Sequence, residues 1–251
     1  MDLTIAIILI SFFSSFIRST FGFGEALVAL PLLALILPLR VAVPLAIMLS
    51  IAIALLVVLQ DHQHIHFQQA KWLIISALPG IPLGLYLMLQ LKEDVTKIAL
   101  GLLICLFSIY SIFKKPRQSK QHSQNGQITQ KRRTGLLYLM GFLSGLLGGA
   151  YGLNGPPLVY YGDKQGWSAA HFRATLQAYF LPASTFALVG FIAKSMVTAQ
   201  VLHYFWIALP SAIPAIYLGR WLNKQFTTGI FFKIVYGLLL LLGIILMRSN
   251  I

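Results

Sequence analysis

The chain has 251 residues, 58% hydrophobic and 10% charged, with a formal net charge of +13. Soluble domains carry about 45–50% apolar and about 25% charged residues, so this chain has too little charge to cover a water-facing surface, and lipid must be the solvent for most of it. The apolar residues run continuously instead of alternating, which excludes a membrane β-barrel; backbone groups in lipid must pair internally, so the expected fold class is an all-α integral membrane protein.

The N-terminus, "MDLTIAIILISFF", lacks the basic region of a signal peptide and is expected to remain as the first membrane segment. That opening segment runs over 3–37 and is interrupted by "STFGFGEALVALP". The next, 41–59, reads "VAVPLAIMLSIAIALLVVL" and holds no charge. His62, His64 and His66 follow at alternate positions in "HQHIH". They lack the helical i,i+4 spacing and a nearby cysteine, so no metal is expected there. Segments 72–91 and 97–113 complete the first half, and the lone Cys105 leaves no partner for an intrachain disulfide. Apolar runs of this kind are close to the roughly 20 residues a helix needs to cross a bilayer core of about 30 Å.

The stretch 114–133, "KKPRQSKQHSQNGQITQKRR", collects Lys114, Lys115, Arg117, Lys120, Lys131, Arg132 and Arg133 and has no acidic residue. By the positive-inside rule it is a cytoplasmic linker between a first repeat, 1–113, and a second, 134–251. Membrane lipid with anionic headgroups is a natural partner for it. Nucleic acid is not, because no aromatic residue interleaves the basic ones.

The second half repeats the order of the first, with segments at 134–162, 171–193, 203–221 and 230–247. A shift of 130 positions puts Phe12, Ser14, Phe16 and Phe21 on Phe142, Ser144, Leu146 and Tyr151, and Gly22 on Gly152. Further on, "VTKIALGLL" matches "FFKIVYGLL", with Lys97 on Lys233 and Gly101 on Gly237. The expected fold therefore has about eight transmembrane segments in two homologous repeats, or about ten if each opening segment crosses twice. Internal repeats of this kind mark transporters. The positive-inside rule favours the inverted, ten-segment arrangement, while the shortness of the half-segments opposes it.

The opening segments are the unusual ones. As single straight helices they would be about 45–50 Å long, too long for one crossing and too short for two. Both are broken by glycine, at "STFGFGEALVALP" and at "GLLGGAYGLNGPP". Small residues of this kind serve close helix packing. Equivalent breaks in two repeats also mark discontinuous helices whose ends meet in a substrate site. On the second reading the substrate lies near Gly22, Gly24, Glu25, Asn154, Gly155 and Pro156. A helix begins near Pro156, with Asn154 or Gly155 as its cap. Arg173 and Gln177, four apart in "HFRATLQAYF", share one helical face beside it. Glu25 is the one acidic residue inside an apolar stretch, and Arg18 precedes it by seven residues. The two either neutralise each other to fix the fold, or serve as an anion attractor and a site of proton coupling. The chain has no Walker sequence, no G-x-S-x-G and no H-E-x-x-H, so no enzyme is expected.

"GFGEALVALPLL", "GLLGGAYGLNGPPLVYY" and "FRATLQAYF" together resemble the TauE/SafE family of sulfite and organosulfonate transporters, along the whole chain. Arg18 and Glu25 stand outside the family pattern. The resemblance implies a multi-pass protein of the bacterial cytoplasmic membrane. It implies transport of a small sulfur-containing anion, with export favoured over uptake, and no cofactor; a homo-oligomer and a membrane-embedded protein without transport activity stay open.

Overall fold

Glycine and proline set the helix boundaries. The computed structural model describes residues 2–61, 67–113, 134–167, 169–225 and 229–248. His62, His64, His66 and the 114–133 linker lie outside them. The described residues form helices α1 (Leu3–Phe21), α2 (Glu25–Ile36), α3 (Leu39–Asp61), α4 (Phe67–Ala77), α5 (Gly80–Gln90), α6 (Glu93–Phe113), α7 (Thr134–Tyr151), α8 (Gly155–Gln165), α9 (Ala169–Ala193), α10 (Ala199–Gln225) and α11 (Gly229–Arg248). No strand occurs among them, and the all-α expectation holds.

Among the described residues, six spans are long and apolar enough to cross a membrane. Their outer faces carry exposed Leu9, Leu106, Val189, Trp206 and Tyr217, an apolar surface that only lipid can solvate. Each opening segment is two helices and not one. α1 stops at Gly22, whose φ is +83°, and α7 at Gly152, whose φ is +68°. Both glycines donate their N–H to the carbonyl four residues back, on Arg18 at 2.7 Å and on Gly148 at 2.8 Å. A side chain at φ near +70° is costly for any L-residue but glycine, so the sequence stops both helices by the same device.

The second helices, α2 and α8, have 12 and 11 residues, about 16–18 Å at the helical rise, and cannot cross a core of about 30 Å alone. Beyond Glu25, α2 is apolar all round, and Leu27, Val28, Ala29, Leu30, Pro31 and Leu33 are buried in unbroken or nearly unbroken succession. A helix without a polar face belongs inside a bundle.

The segment expected at 72–91 is also divided, which the run of apolar residues concealed. α4 ends at Ala77 and α5 begins at Gly80, with Pro79 at the cap. Proline has no N–H, so a rung of the helical ladder is lost at Pro79. Together α4 and α5 take the place in the first half that α10 takes in the second. α10 also carries Pro210 and Pro214 but stays continuous.

Packing between the halves is reciprocal. α1 lies along α10, and α7 lies along α4 and α5; α3 pairs with α9, and α6 with α11. Exchanging the halves maps this pattern onto itself, as a pseudo-two-fold relation requires. On the α5–α7 side the backbones nearly touch. A Cβ on Gly84 would overlap the Leu146 carbonyl, and one on Gly149 the Ile81 carbonyl. Close packing through small residues therefore accounts for part of the glycine-rich sequence, while Gly22 and Gly152 make the breaks.

Candidate functional site

The two breaks come together. Gly24, Glu25, Ala26 and Leu27 at the start of α2 and Gly152, Leu153, Asn154 and Gly155 at the start of α8 line one cavity, with Arg18, Phe23, Ser50 and Phe180. The cavity is small, about 20 Å³, room for roughly one water molecule. Gly24, at φ +100°, turns the chain into α2. Across the gap, the Phe23 ring lies against Gly155.

Arg18 sits at the centre, only 2% exposed, and each edge of its guanidinium has a partner. One terminal nitrogen, Nη1, donates to the Glu25 carboxylate and, at 2.6 Å, to Ser50 Oγ. Nε and Nη2 both donate to Gln177 Oε1, at 3.3 and 2.7 Å. Gln177 Nε2 in turn donates to the Gly22 carbonyl at 2.7 Å, which ties α9 to the end of α1. The guanidinium also lies 5.0 Å from the centre of the Phe180 ring, a cation–π distance. Arg18 and Glu25 are the fully buried charges among the described residues. Removing either alone would strand the other in a low-dielectric interior.

Glu25 occupies the first turn of α2. The unpaired N–H groups and dipole of a helix N-terminus favour a negative charge there. Its Oε2 engages Arg18, while its Oε1 is buried without a hydrogen-bond partner. A carboxylate is thus already seated where the sequence placed the substrate anion.

The second break is built differently. The equivalent of Arg18 is Gly148, and the Asn154 side chain fills the space its missing Cβ leaves. Asn154 stands at the N-cap of α8 and α8 begins at Gly155, as expected. Its side chain makes no capping bond, however. The amide nitrogen instead reaches toward Ser184 Oγ at 3.5 Å, and Oδ1 has no partner. The Asn154 carbonyl is held by Ser144 Oγ at 2.6 Å. Pro156 and Pro157 remove two N–H groups from the first turn of α8, so fewer backbone donors are available there than at α2.

Of the residues expected at the site, Arg18, Gly24, Glu25, Asn154 and Gly155 line the cavity; Gln177 and Gly22 join its hydrogen-bond network, and Pro156 follows in α8. Arg173 lies near the start of α9, and its side chain is outside what the structure describes. Ser50, Phe180 and Ser184 were not anticipated. Ser50 had a signal, being the polar residue in an otherwise apolar run of α3. Phe180 had none, since an aromatic in an apolar helix looks like core. Among the described residues, no cluster of His, Cys, Asp and Glu could hold a metal.

A cavity holding a buried ion pair at the meeting point of two broken helices, inside an all-α bundle of two like halves, defines a membrane carrier class. The family model for "Sulfite exporter TauE/SafE" matches residues 7–246, and the chain belongs to that family. It is 26% identical over 191 residues to the "Probable sulfite/organosulfonate exporter TauE" of Cupriavidus necator, covering 75% of this chain and 71% of that protein. No solved structure matches.

Proposed function

We propose that this chain is a secondary transporter that exports a small sulfur-containing anion, sulfite or an organosulfonate, across the bacterial cytoplasmic membrane. The observation that carries the reading is the convergence of two helix N-termini and one buried arginine on a single cavity. Helix N-termini attract anions through free N–H groups and the dipole. A desolvated anion needs several kcal/mol of compensation in a low-dielectric interior, and Arg18 supplies a full charge in fork geometry that matches the oxygens of a sulfite or sulfonate group. Glycines at both breaks let the backbone approach the ligand closely. The substrate is assigned to Gly22, Gly24, Glu25, Asn154, Gly155, Pro156 and Gln177, with Arg173 as a further candidate from the sequence. The sulfur-anion assignment and the export direction come from the family and from the Cupriavidus relative's name.

Purified protein in liposomes loaded with labelled sulfite tests this directly. Release above that of protein-free liposomes is expected, with competition by organosulfonates. No flux of any anion in either direction under any imposed gradient would sink the transport reading.

A further inference from the structure

We propose that Glu25 is the built-in occupant of the anion site. It neutralises Arg18 when the carrier is empty and yields its place, taking up a proton, when a substrate anion enters. The proposal rests on the transport reading above and deepens it.

Three observations carry it. The Glu25 carboxylate is at the α2 N-terminus and on Arg18, the two features that would otherwise hold a transported anion. Its Oε1 has no partner although it is buried, in a residue 1% exposed that lines the cavity. Every nitrogen of Arg18 is already engaged, since Glu25, Ser50 and Gln177 take four of its five N–H groups and leave one, on Nη2. An incoming anion can therefore grip the guanidinium at two points only by displacing one of these partners, and Glu25 is the one of like charge. Arg18 from α1 contacts Glu25, Ser50 from α3 and Gln177 from α9 reach it through Arg18, and Asn154 at the start of α8 lines the same cavity. Arg18 is the charged member of that set.

Charge balance then dictates the cycle. An arginine with two anions in a buried site carries a net negative charge, and an arginine with none carries a net positive one. Both are expensive to bury. A neutral site is reached in two ways: Arg18 with ionised Glu25, or Arg18 with a monoanion and Glu25 protonated. On loading, a proton from the aqueous side adds to the Glu25 carboxylate and the anion takes its position on Arg18. On release, the anion leaves and the proton returns to the aqueous side where the anion went. One proton therefore moves with each monoanion, in the same direction, and the empty carrier can reset without a second anion.

Two assays in sulfite-loaded liposomes separate the consequences. Net efflux requires return of the empty carrier; exchange of labelled for unlabelled sulfite does not. The wild type is expected to perform net efflux without sulfite on the far side, and to carry protons out with the anion, read by an internal pH dye. Glu25→Gln leaves Arg18 uncompensated when empty. Its net efflux is expected to fall at least roughly tenfold, and by more than its sulfite exchange, with neither moving protons. Glu25→Asp keeps a carboxylate and is expected to restore net efflux in part. Wild-type protein that only exchanges, or whose net efflux moves no protons, overturns the proposal whether or not the glutamine variant folds. So does a folded Glu25→Gln with undiminished net efflux. Absence of both efflux and exchange in the wild type would instead overturn the transport reading itself.

Discussion

At the scale of single residues, the site rests on one guanidinium that no other side chain can imitate. Lysine offers one ammonium where Arg18 reaches Glu25, Ser50 and Gln177 from separate nitrogens. Arg18→Lys is expected to keep the buried charge but lose the fork, with sulfite flux at matched protein amounts lower by about tenfold. Asn154 makes a different case. Its one side-chain bond, to Ser184 at 3.5 Å, is long, so little stability depends on it. Asn154→Ala is expected to abolish flux while shifting thermal stability in detergent by less than about 1 kcal/mol. If the variant transported like wild type, Asn154 would be excluded from substrate binding. Arg18 and Glu25 could be singled out in the sequence because ionisable residues are conspicuous in apolar runs. Their mutual pairing was one of two readings, and the structure shows the pair. What the sequence could not show was that Ser50 and Gln177 join Glu25 on the guanidinium, since those contacts span three helices distant in the chain.

Helices bring two kinds of glycine to this molecule, and substitution separates them. Gly84 lies where α5 meets the α7 backbone, with no space for a Cβ. Gly84→Leu is expected to cost at least about 1–3 kcal/mol through overpacking and to reduce the yield of monodisperse protein on size exclusion. Gly155 is different. A Cβ there would meet Phe23 at 3.6 Å, an ordinary contact. Gly155→Leu should therefore fold and yet lose flux, because the longer side chain enters the cavity between the breaks. Equal loss of folded protein in both variants would refute this distinction. The positions of the breaks were legible because glycine and proline interrupt apolar runs at equivalent places in both halves. The gap between α4 and α5 was missed for the opposite reason. Pro79 and Gly80 lie within a run of apolar residues whose length already suited one crossing, so nothing in the composition demanded an interruption. The glycines of α7 were ambiguous by nature: a missing side chain reads the same whether it admits a neighbouring backbone or frees a turn.

For the whole molecule, reciprocal packing of the two series of helices was foreshadowed by Gly22 aligning with Gly152 and Lys97 with Lys233, but orientation in the membrane depends on charge alone. The basic run 114–133 separates α6 from α7, and the positive-inside rule predicts that it lies on the cytoplasmic side. The single native cysteine makes this testable. Cys105 is buried in α6, its Sγ 3.7 Å from the Leu240 carbonyl, a weak contact at most. Alanine removes one small buried atom there and introduces no clash beside Gly243, so Cys105→Ala is expected to cost no more than about 1 kcal/mol and to transport like wild type. In that cysteine-free background, a cysteine at Ser119 or Ser123 should resist a membrane-impermeant maleimide in intact cells. It should react in inside-out vesicles or after permeabilisation. The positive-inside rule applies most strongly to short connections near the helix ends, and this one joins α6 directly to α7. Labelling in intact cells would place 114–133 outside and reverse the assignment of the two aqueous faces.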